Sequence, residues 1–303
     1  MKKLITVLLA FAFVAGVAEA APAKKRTSSS KAQAAQQPPK KRPGCISKSP
    51  YLGAMAVDVN TGKTLFEDNA DAMVYPASTL KLMTLLVVQK QLEKRAVSLD
   101  DLCKVSARAS KQGGTQVWLD PRETVKLDDL LYALMIRSAN DAAVCIAEHV
   151  AGSVEAFVAM MNAEAAALGM KNTLFQSVNG LPPTPSEPRP QDKTTTRDMS
   201  LLCLELCRHP AVFRYTSATR RMFREDGNKA QIDMITHNPF LRGSTRIEGC
   251  NGLKTGYTAT AGFSICVSVK NKGRHVLVLV FDSEDRKERD AKAAEIIRKT
   301  MAL

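Results

Sequence analysis

The stretch FSICVSVKNKGRHVLVLVF, residues 263–281, decides the fold class of this chain. Residues 263–269 and 275–281 alternate apolar and polar side chains or run apolar, a pattern typical of β-strands in a sheet. Between them, NKG at 271–273 is a turn sequence, because Asn and Gly accept the left-handed backbone that tight hairpins need. The stretch therefore predicts an antiparallel β-hairpin.

Segments at both ends of the sequence extend this prediction. Residues 284–301 carry apolar side chains at helical spacing, which predicts a helix packed on the hairpin. Residues 52–59 alternate as a strand does, NTG at 60–62 is a second turn sequence, and 63–67 resumes the strand pattern. The first and last segments are therefore expected to share one antiparallel sheet.

The intervening sequence has the period of helices. Residues 78–94 are apolar on most sides, which indicates a helix buried inside the domain. Further helical segments follow at 127–136, 142–150, 154–168 and 196–207. The predicted fold class is α+β: an antiparallel sheet flanked by helices, with a mostly helical lobe inserted between its strands.

The first fifty residues differ in composition from the rest. A pair of lysines precedes an apolar run over 4–17, which ends in the small-residue pattern AEA at 18–20; this order is typical of a secretory signal peptide. Residues 21–50 hold eight basic residues, no acid and few apolar side chains, so we expect a flexible basic tether. The predicted organisation is a signal peptide at 1–20, the tether, and one domain at 51–303.

Charge and hydropathy exclude some partners. The formal net charge is +13, of which the signal peptide contributes +1 and the tether +8, leaving +4 for residues 51–303. The domain is thus only mildly basic, and no nucleic-acid partner is expected. The apolar run of the signal peptide is too short to span a membrane comfortably. We expect a periplasmic or secreted protein with no transmembrane segment after signal cleavage.

The seven cysteines of the sequence do not indicate a metal site or another cofactor site. An oxidising compartment allows disulfides, but an odd number leaves at least one thiol unpaired in a monomer. Cys203, Cys207 and His209 have no evident partner for a fourth metal ligand, so ordinary helix packing is the better interpretation. Neither a metal nor another cofactor is expected.

Three short motifs stand in the structural contexts that their chemistry requires. STLK at 78–81 opens the buried helix, SAN at 138–140 lies in a turn between helices, and KTG at 254–256 sits on the strand before the hairpin. Chance supplies single matches, such as SSSK at 28–31 and SVN at 177–179. It does not supply all three in this order and context.

The first two motifs predict a nucleophile with its base. Residues three apart lie on one helix face, so the Lys81 amine can take the proton of Ser78. Burial and the charge of Lys254 would favour the neutral amine that this step needs. Ser138 can relay a proton to the leaving amine, and Asn140 can orient Lys81 or the substrate amide. The candidate catalytic residues are Ser78, Lys81, Ser138 and Asn140.

The strand that carries the third motif is a candidate binding edge. An extended peptide can pair with it, because Gly256 permits close approach. Lys254 and Thr255 can bind a carboxylate. The backbone N–H groups of Ser78 and Tyr257 are candidates for an oxyanion hole.

These motifs and their surroundings resemble the penicillin-recognising serine DD-peptidases, in the low-molecular-weight D-alanyl-D-alanine carboxypeptidase group. The resemblance covers residues 50–303 nearly end to end and rests on the stretches YPASTLKLMT at 75–84, GTQVWL at 114–119, DDLLY at 128–132, SANDAA at 138–143, NGL at 179–181 and GLKTG at 252–256.

The resemblance implies a DD-peptidase or β-lactamase-like fold around a serine DD-peptidase catalytic domain. It implies removal of the terminal D-Ala from peptidoglycan stem peptides through an acyl-serine, and acylation by β-lactam antibiotics. It also implies that Arg289, on the last helix, lies near the substrate carboxylate.

Other functions share parts of this pattern. A DD-endopeptidase, which cleaves peptide cross-links, would have the same site in different surroundings. A class A β-lactamase would need a carboxylate in an E-x-x-L-N context; we find none after Ser138, where the candidates Glu155 and Glu164 lie in helical repeats. A non-catalytic β-lactam sensor would be acylated without turnover. We do not expect the β-rich domain and amphipathic helix that follow this domain in some carboxypeptidases.

Overall fold

The computed structural model describes residues 50–225 and 229–302. The predicted signal peptide, and the predicted tether up to residue 49, lie outside the described residues. The β-strands are Gly53–Asp58 (β1), Thr64–Asp68 (β2), Met73–Val74 (β3), Leu102–Lys104 (β4), Thr124–Lys126 (β5), Thr194–Thr195 (β6), Arg220–Phe223 (β7), Ile232–Ile235 (β8), Cys250–Thr258 (β9), Gly262–Asn271 (β10) and Arg274–Ser283 (β11).

Helices lie mainly between β3 and β7 and after β11. The α-helices are Lys81–Glu93 (α1), Ala107–Ser110 (α2), Leu127–Tyr132 (α3), Asn140–Ala151 (α4), Val154–Ala167 (α5), Thr196–Cys207 (α6), Phe213–Thr216 (α7) and Arg286–Ala302 (α8). Short 3₁₀ turns are Ala77–Leu80, Pro210–Val212, Pro239–Leu241 and Gly243–Thr245, and Ala133–Arg137 is a π-helical turn.

The predicted sheet is present, with five antiparallel strands in the order β2-β1-β11-β10-β9. The predicted C-terminal hairpin is β10–β11, whose strands pair from Asn271 and Arg274 at the turn onward. β1 pairs with β11, with Gly53 opposite Phe281. The first and last segments therefore share one sheet, as the sequence predicts.

β11 is buried on both faces, which explains its nearly continuous apolar run. Val276, Val278 and Val280 pack in one cluster with Ile296 and Ile297 of α8. The alternate side chains belong to the larger core of the helical lobe and are Leu277, Leu279 and Phe281. Each such side chain contributes about 1.5–3 kcal/mol by leaving water. The central strand thus joins the C-terminal helix to the inserted lobe.

Two predicted helices differ locally from the prediction, and both differences lie at the candidate site. The helix predicted from residue 78 begins as the 3₁₀ turn Ala77–Leu80 and becomes α-helical only at Lys81. The helix predicted over 127–136 ends in the π-helical turn Ala133–Arg137. Apolar periodicity predicts a helix but does not distinguish 3₁₀, α and π turns of a few residues.

Three two-stranded pairings in the lobe were not predicted: β3–β6, β4–β5 and β7–β8. Their strands have two to four residues, which is too short for a period of two to stand out.

In residues 50–225 and 229–302, no single helix is long and apolar enough to cross a membrane. Helices α4 and α5 taken together, which are bent by 85°, meet that criterion by length and composition.

Candidate active site

Ser78 and Lys81 meet because the chain enters α1 through a 3₁₀ turn. In a 3₁₀ helix the side chains at i and i+3 are eclipsed, and Lys81 Nζ lies 3.1 Å from Ser78 Oγ. Ser78 is partly exposed, whereas Lys81 is 0 % exposed. The turn therefore presents a hydroxyl to the surface with an amine buried beneath it.

The backbone around this turn is tightly constrained. Ala77 has a φ of +47°, a conformation that residues with a Cβ rarely adopt. A Cβ on Gly180 would lie 2.0 Å from the Ala77 carbonyl oxygen. Only glycine at position 180 allows these two backbones to touch. The loop that contains Gly180 thus holds the Ser78 turn from outside the helix.

The surroundings of Lys81 are suited to a neutral amine. Its Nζ lies 2.8 Å from Asn140 Oδ1 and 2.7 Å from the Asn179 carbonyl oxygen. Asn140 Nδ2 donates to the carbonyl oxygen of Gly113 at 2.8 Å, which fixes the orientation of the amide. Both neighbours of Lys81 are therefore pure acceptors. A neutral amine has two N–H groups for them and one lone pair left for the Ser78 hydroxyl proton.

The electrostatic environment supports that protonation state. Burial, and next the positive charge of Lys254, hold the pKa of Lys81 well below its usual value. Asp141 and Asp192 act in the opposite direction, but their contributions are smaller than those of burial and Lys254. A lysine with this environment can serve as a general base near neutral pH.

Ser138 occupies the turn between the π-helical segment and α4. Its φ of +65° places it in the left-handed region, and it is 5 % exposed. Among the described residues its Oγ has no hydrogen-bond partner. Buried hydroxyls without partners are rare in folded proteins. This one lies two residues before Asn140, which contacts Lys81, and its Oγ has its hydrogen-bonding capacity unused within the described part of the chain.

Strand β9 lies directly against the Ser78 turn. A Cβ on Gly256 would lie 3.0 Å from the Pro76 carbonyl oxygen and 3.2 Å from Ser78 N. Glycine thus allows the strand edge to approach the nucleophile.

The lysine of the KTG motif is buried on the same strand. Burial lowers the pKa of Lys254 to about 7, and its Nζ donates to the Thr255 carbonyl oxygen at 3.0 Å.

The remaining predicted binding residues lie at the end of this strand and beneath it. Tyr257 stacks on Phe263, with ring centroids 4.2 Å apart. Arg289 is buried, and its guanidinium donates to Asp290 Oδ1 at 2.6 Å and to the Ser264 carbonyl oxygen at 3.3 Å. Its charge helps to lower the pKa of Lys254. Arg289 is therefore near enough to act on the KTG strand, while its donors are engaged by protein groups.

Sequence reasoning missed two residues of this site. Asn179 belongs to an S-x-N match that we attributed to chance, yet its carbonyl oxygen is a partner of Lys81; the NGL stretch in the family resemblance was the available signal. His237 was not singled out. The residue is exposed at the surface, and partial desolvation together with nearby cations lowers its pKa. These cations are Lys254, Arg137, Arg286 and Lys81.

The structure places the possible metal ligands apart from this site. His209 Nδ1 lies 2.6 Å from Glu93 Oε1. Within the described part of the chain, no group of three or more His, Cys, Asp and Glu side chains is arranged to hold a metal ion. The six cysteines of that part are free thiols.

Comparison with known proteins identifies the family. The family model described as "D-alanyl-D-alanine carboxypeptidase" matches residues 45–285. The chain belongs to this family. The predicted resemblance of this chain to the D-alanyl-D-alanine carboxypeptidases is confirmed. The predicted α+β fold class is confirmed as well.

Individual relatives of the family are similar over most of the chain. The D-alanyl-D-alanine carboxypeptidase DacF of Bacillus subtilis is 30% identical over 244 residues, covering 80% of this chain and 60% of DacF. DacC of Escherichia coli is 32% identical over 246 residues, covering 78% of this chain and 58% of DacC. The chain thus spans about three-fifths of the length of these curated relatives. A D-alanyl-D-alanine endopeptidase of Escherichia coli is 28% identical over 232 residues, with coverages of 76% and 70%.

A solved structure supports the same fold. Penicillin-Binding Protein D2 from Listeria monocytogenes, in its ampicillin-bound form, superposes with a TM-score of 0.72 at 28% identity. The superposition covers 86% of this chain and 100% of the Listeria chain.

Proposed function

We propose that this protein is a serine-type D-alanyl-D-alanine carboxypeptidase, which removes the terminal D-Ala from peptidoglycan stem pentapeptides through an acyl-serine. One observation carries the proposal. The buried Lys81 amine donates to two acceptors that cannot themselves donate. Its lone pair is left for Ser78 Oγ, which lies 3.1 Å away. Membership of the family supports the substrate class.

In the acylation step, Ser78 is the nucleophile and Lys81 the general base. Ser78 Oγ attacks the carbonyl carbon of the penultimate D-Ala while its proton passes to the lone pair of Lys81 Nζ. The carbonyl oxygen becomes an oxyanion, and we assign its stabilisation to the backbone N–H groups of Ser78 and Tyr257. Asn140 keeps the Lys81 amine in place during the transfer.

Collapse of this intermediate breaks the peptide bond and requires a proton on the leaving amine. We assign Ser138 as the relay that passes the proton from Lys81 Nζ to this amine, because its Oγ has no other hydrogen-bond partner among the described residues. The free D-Ala departs, and the acyl group remains on Ser78 Oγ. Water then attacks the ester and gives a proton to Lys81; the ester bond breaks, the proton passes from Lys81 to Ser78 Oγ, and the shortened peptide is released.

Strand β9 supplies the proposed recognition of the substrate. An extended stem peptide would pair with the strand edge, and its terminal carboxylate would be bound by the Lys254 ammonium and the Thr255 hydroxyl. Gly256 lets the peptide and the strand lie close to Ser78. We assign Arg289 the supporting role of adding positive charge beneath this carboxylate site.

β-Lactam antibiotics are the proposed inhibitors, since the same attack on a lactam carbonyl leaves an acyl-serine. A class A β-lactamase would need a free carboxylate to activate water for hydrolysis of this ester. The two candidate acids of α5 are paired with cations: Glu155 lies 2.7 Å from Arg108, and Glu164 contacts Lys90. Their engagement favours slow deacylation of the β-lactam adduct, and hence inhibition.

Export is the proposed route to the substrate. The leader pattern at 1–20 and the family's action on the cell wall both favour a site of action in the periplasm or outside the cell. We further propose that the tether at 21–50 is a solvated spacer. Deletion of 21–50 should then leave turnover of a soluble peptide unchanged, and a large fall in turnover would contradict the spacer role.

The test of the proposed function is digestion of defined muropeptides. We expect the mature enzyme to release D-Ala from monomeric pentapeptides, and we expect Ser78→Ala to release none while keeping a native circular dichroism spectrum. Conversion of cross-linked dimers to monomers without release of D-Ala would favour the endopeptidase instead. Acylation by penicillin with no turnover of either substrate would favour a sensor.

A further inference from the structure

An exposed aromatic residue lies in the loop 113–119, which is tied to the catalytic Asn140 through hydrogen bonds to the carbonyl oxygens of Gly113 and Thr115, each at 2.8 Å. Trp118 is the single tryptophan of the chain and is 58% exposed. Its φ of +49° lies in the left-handed region. For a bulky residue this conformation costs about 1–3 kcal/mol and persists only where the surrounding structure imposes it.

Hydrogen bonds on both sides of Trp118 impose this conformation. The backbone N–H groups of Val117 and Leu119 donate to the Asp141 carboxylate at 3.1 and 3.0 Å. Asp141 directly follows Asn140, so the loop is attached to the catalytic turn itself. The Trp118 carbonyl oxygen accepts from Arg224 Nη2 at 2.9 Å. The fold thus holds a large apolar ring in solvent at a fixed place in this loop.

Arg137 lies next to the Trp118 ring. It directly precedes Ser138, and its guanidinium carbon lies 5.7 Å from the centre of the Trp118 ring. Its one hydrogen bond within the described residues runs from Nε to the Gln116 carbonyl oxygen at 3.5 Å. Other arginines near the loop are neutralised: Arg122 pairs with Asp120 and Arg224 with Glu123. Within the described residues no carboxylate pairs with Arg137, so most of its donors remain available.

We propose that Trp118 and Arg137 form a subsite for a carboxylate-bearing residue of the stem peptide outside the scissile D-Ala-D-Ala unit; this inference rests on the proposed function. A guanidinium binds a carboxylate through two parallel hydrogen bonds. The neighbouring Trp118 ring covers the aliphatic part of the same residue and excludes water. Because the subsite is attached to Ser138 and Asn140, binding there would position the scissile bond over Ser78.

The single tryptophan provides a readout that needs no turnover. In a Ser78→Ala background, a stem peptide with one free side-chain carboxylate should change the Trp118 emission in a saturable way. Its analogue with a carboxamide at that position should bind about tenfold more weakly, the size of a lost charge-assisted hydrogen bond. Adding Arg137→Gln should reduce this tenfold preference to about onefold. Adding Arg137→Lys, which keeps the positive charge but cannot form two parallel hydrogen bonds, should leave an intermediate preference.

A neighbouring arginine serves as the matched control. Arg122 lies in the same loop region, is 87% exposed in its side chain and already pairs with Asp120. Arg122→Gln in the Ser78→Ala background should keep the tenfold preference. Equal binding of the two peptides by the Ser78→Ala protein, or an undiminished preference in the Arg137→Gln variant, would overturn the proposal. Failure of the proposed function is seen separately, as absence of D-Ala release by the enzyme with Ser78 intact.

Discussion

Replacement of Lys81 by arginine tests whether this residue is a base or only a cation. The amine lies among three oxygen atoms, at 2.7 Å from Asn179 O, 2.8 Å from Asn140 Oδ1 and 3.1 Å from Ser78 Oγ. A guanidinium can still donate to the two carbonyl oxygens, so neither acceptor is left without a partner. It cannot accept the Ser78 proton, because it stays protonated across the working pH range.

The expected loss is that of a general base. Such catalysis contributes about 10²–10⁴-fold, so we expect acylation of Lys81→Arg to be slower by about a thousandfold, or about 4 kcal/mol in the activation barrier. Lys81→Arg also places a permanent positive charge where burial and Lys254 disfavour one, so both this variant and Lys81→Ala should lose thermal stability, for different reasons. That truncation leaves two buried acceptors unpaired, at about 1–3 kcal/mol each.

The assay is time-resolved labelling by a fluorescent penicillin at several concentrations. Lys81→Arg should show a lower limiting rate, whereas Lys254→Arg, which keeps a cation for the carboxylate, should mainly raise the concentration needed for half-maximal rate. Circular dichroism confirms that both variants are folded. A folded Lys81→Arg protein that is acylated at the wild-type rate would refute the reasoning and move the base to another residue.

Three further predictions follow from the contacts of the site. Asn140→Asp would place a carboxylate next to Lys81 and raise its pKa, so acylation near neutral pH should fall by about a hundredfold and recover as pH rises; an unshifted pH–rate profile contradicts this. Gly256→Ala should slow acylation about tenfold, because β9 must move away from Ser78. The loss of thermal stability should be modest, since neighbouring atoms need to shift by only tenths of an ångström. An unchanged rate would mean that the close approach is not needed. Lys254, with a pKa of about 7, is charged below that pH and neutral above it, so KM for a carboxylate-bearing peptide should rise above about pH 7; Lys254→Arg should abolish this rise, and its persistence would assign it to another group.

Much of the fold could be predicted because its strands and helices are long. β10 and β11 have ten residues each, enough for their pattern and the NKG turn to predict a hairpin. The helix from Lys81 was equally clear, because it is buried on all sides. The short pairings, such as β7–β8 within residues 208–235, escaped prediction, since four residues carry too little periodicity and tertiary contacts decide their pairing.

The candidate site was predictable where one motif carries both partners. Ser78 and Lys81 are three residues apart, so any helical turn brings them together. Asn179 could not be assigned in this way, because it acts through a backbone carbonyl and is separated from Lys81 by 98 positions. The exposure of Trp118 was hidden for a similar reason: it depends on hydrogen bonds from neighbouring backbone groups to Asp141, and no local pattern reports them.

The most direct test of the central claim is to locate the acyl group. The protein is incubated with penicillin, digested, and the modified peptide is sequenced by mass spectrometry, with Ser78→Ala treated in parallel. We expect one adduct on Ser78 in the wild type and none in a folded Ser78→Ala protein. An adduct on Ser138, or labelling that survives Ser78→Ala, would contradict the assignment of Ser78 as the nucleophile activated by Lys81.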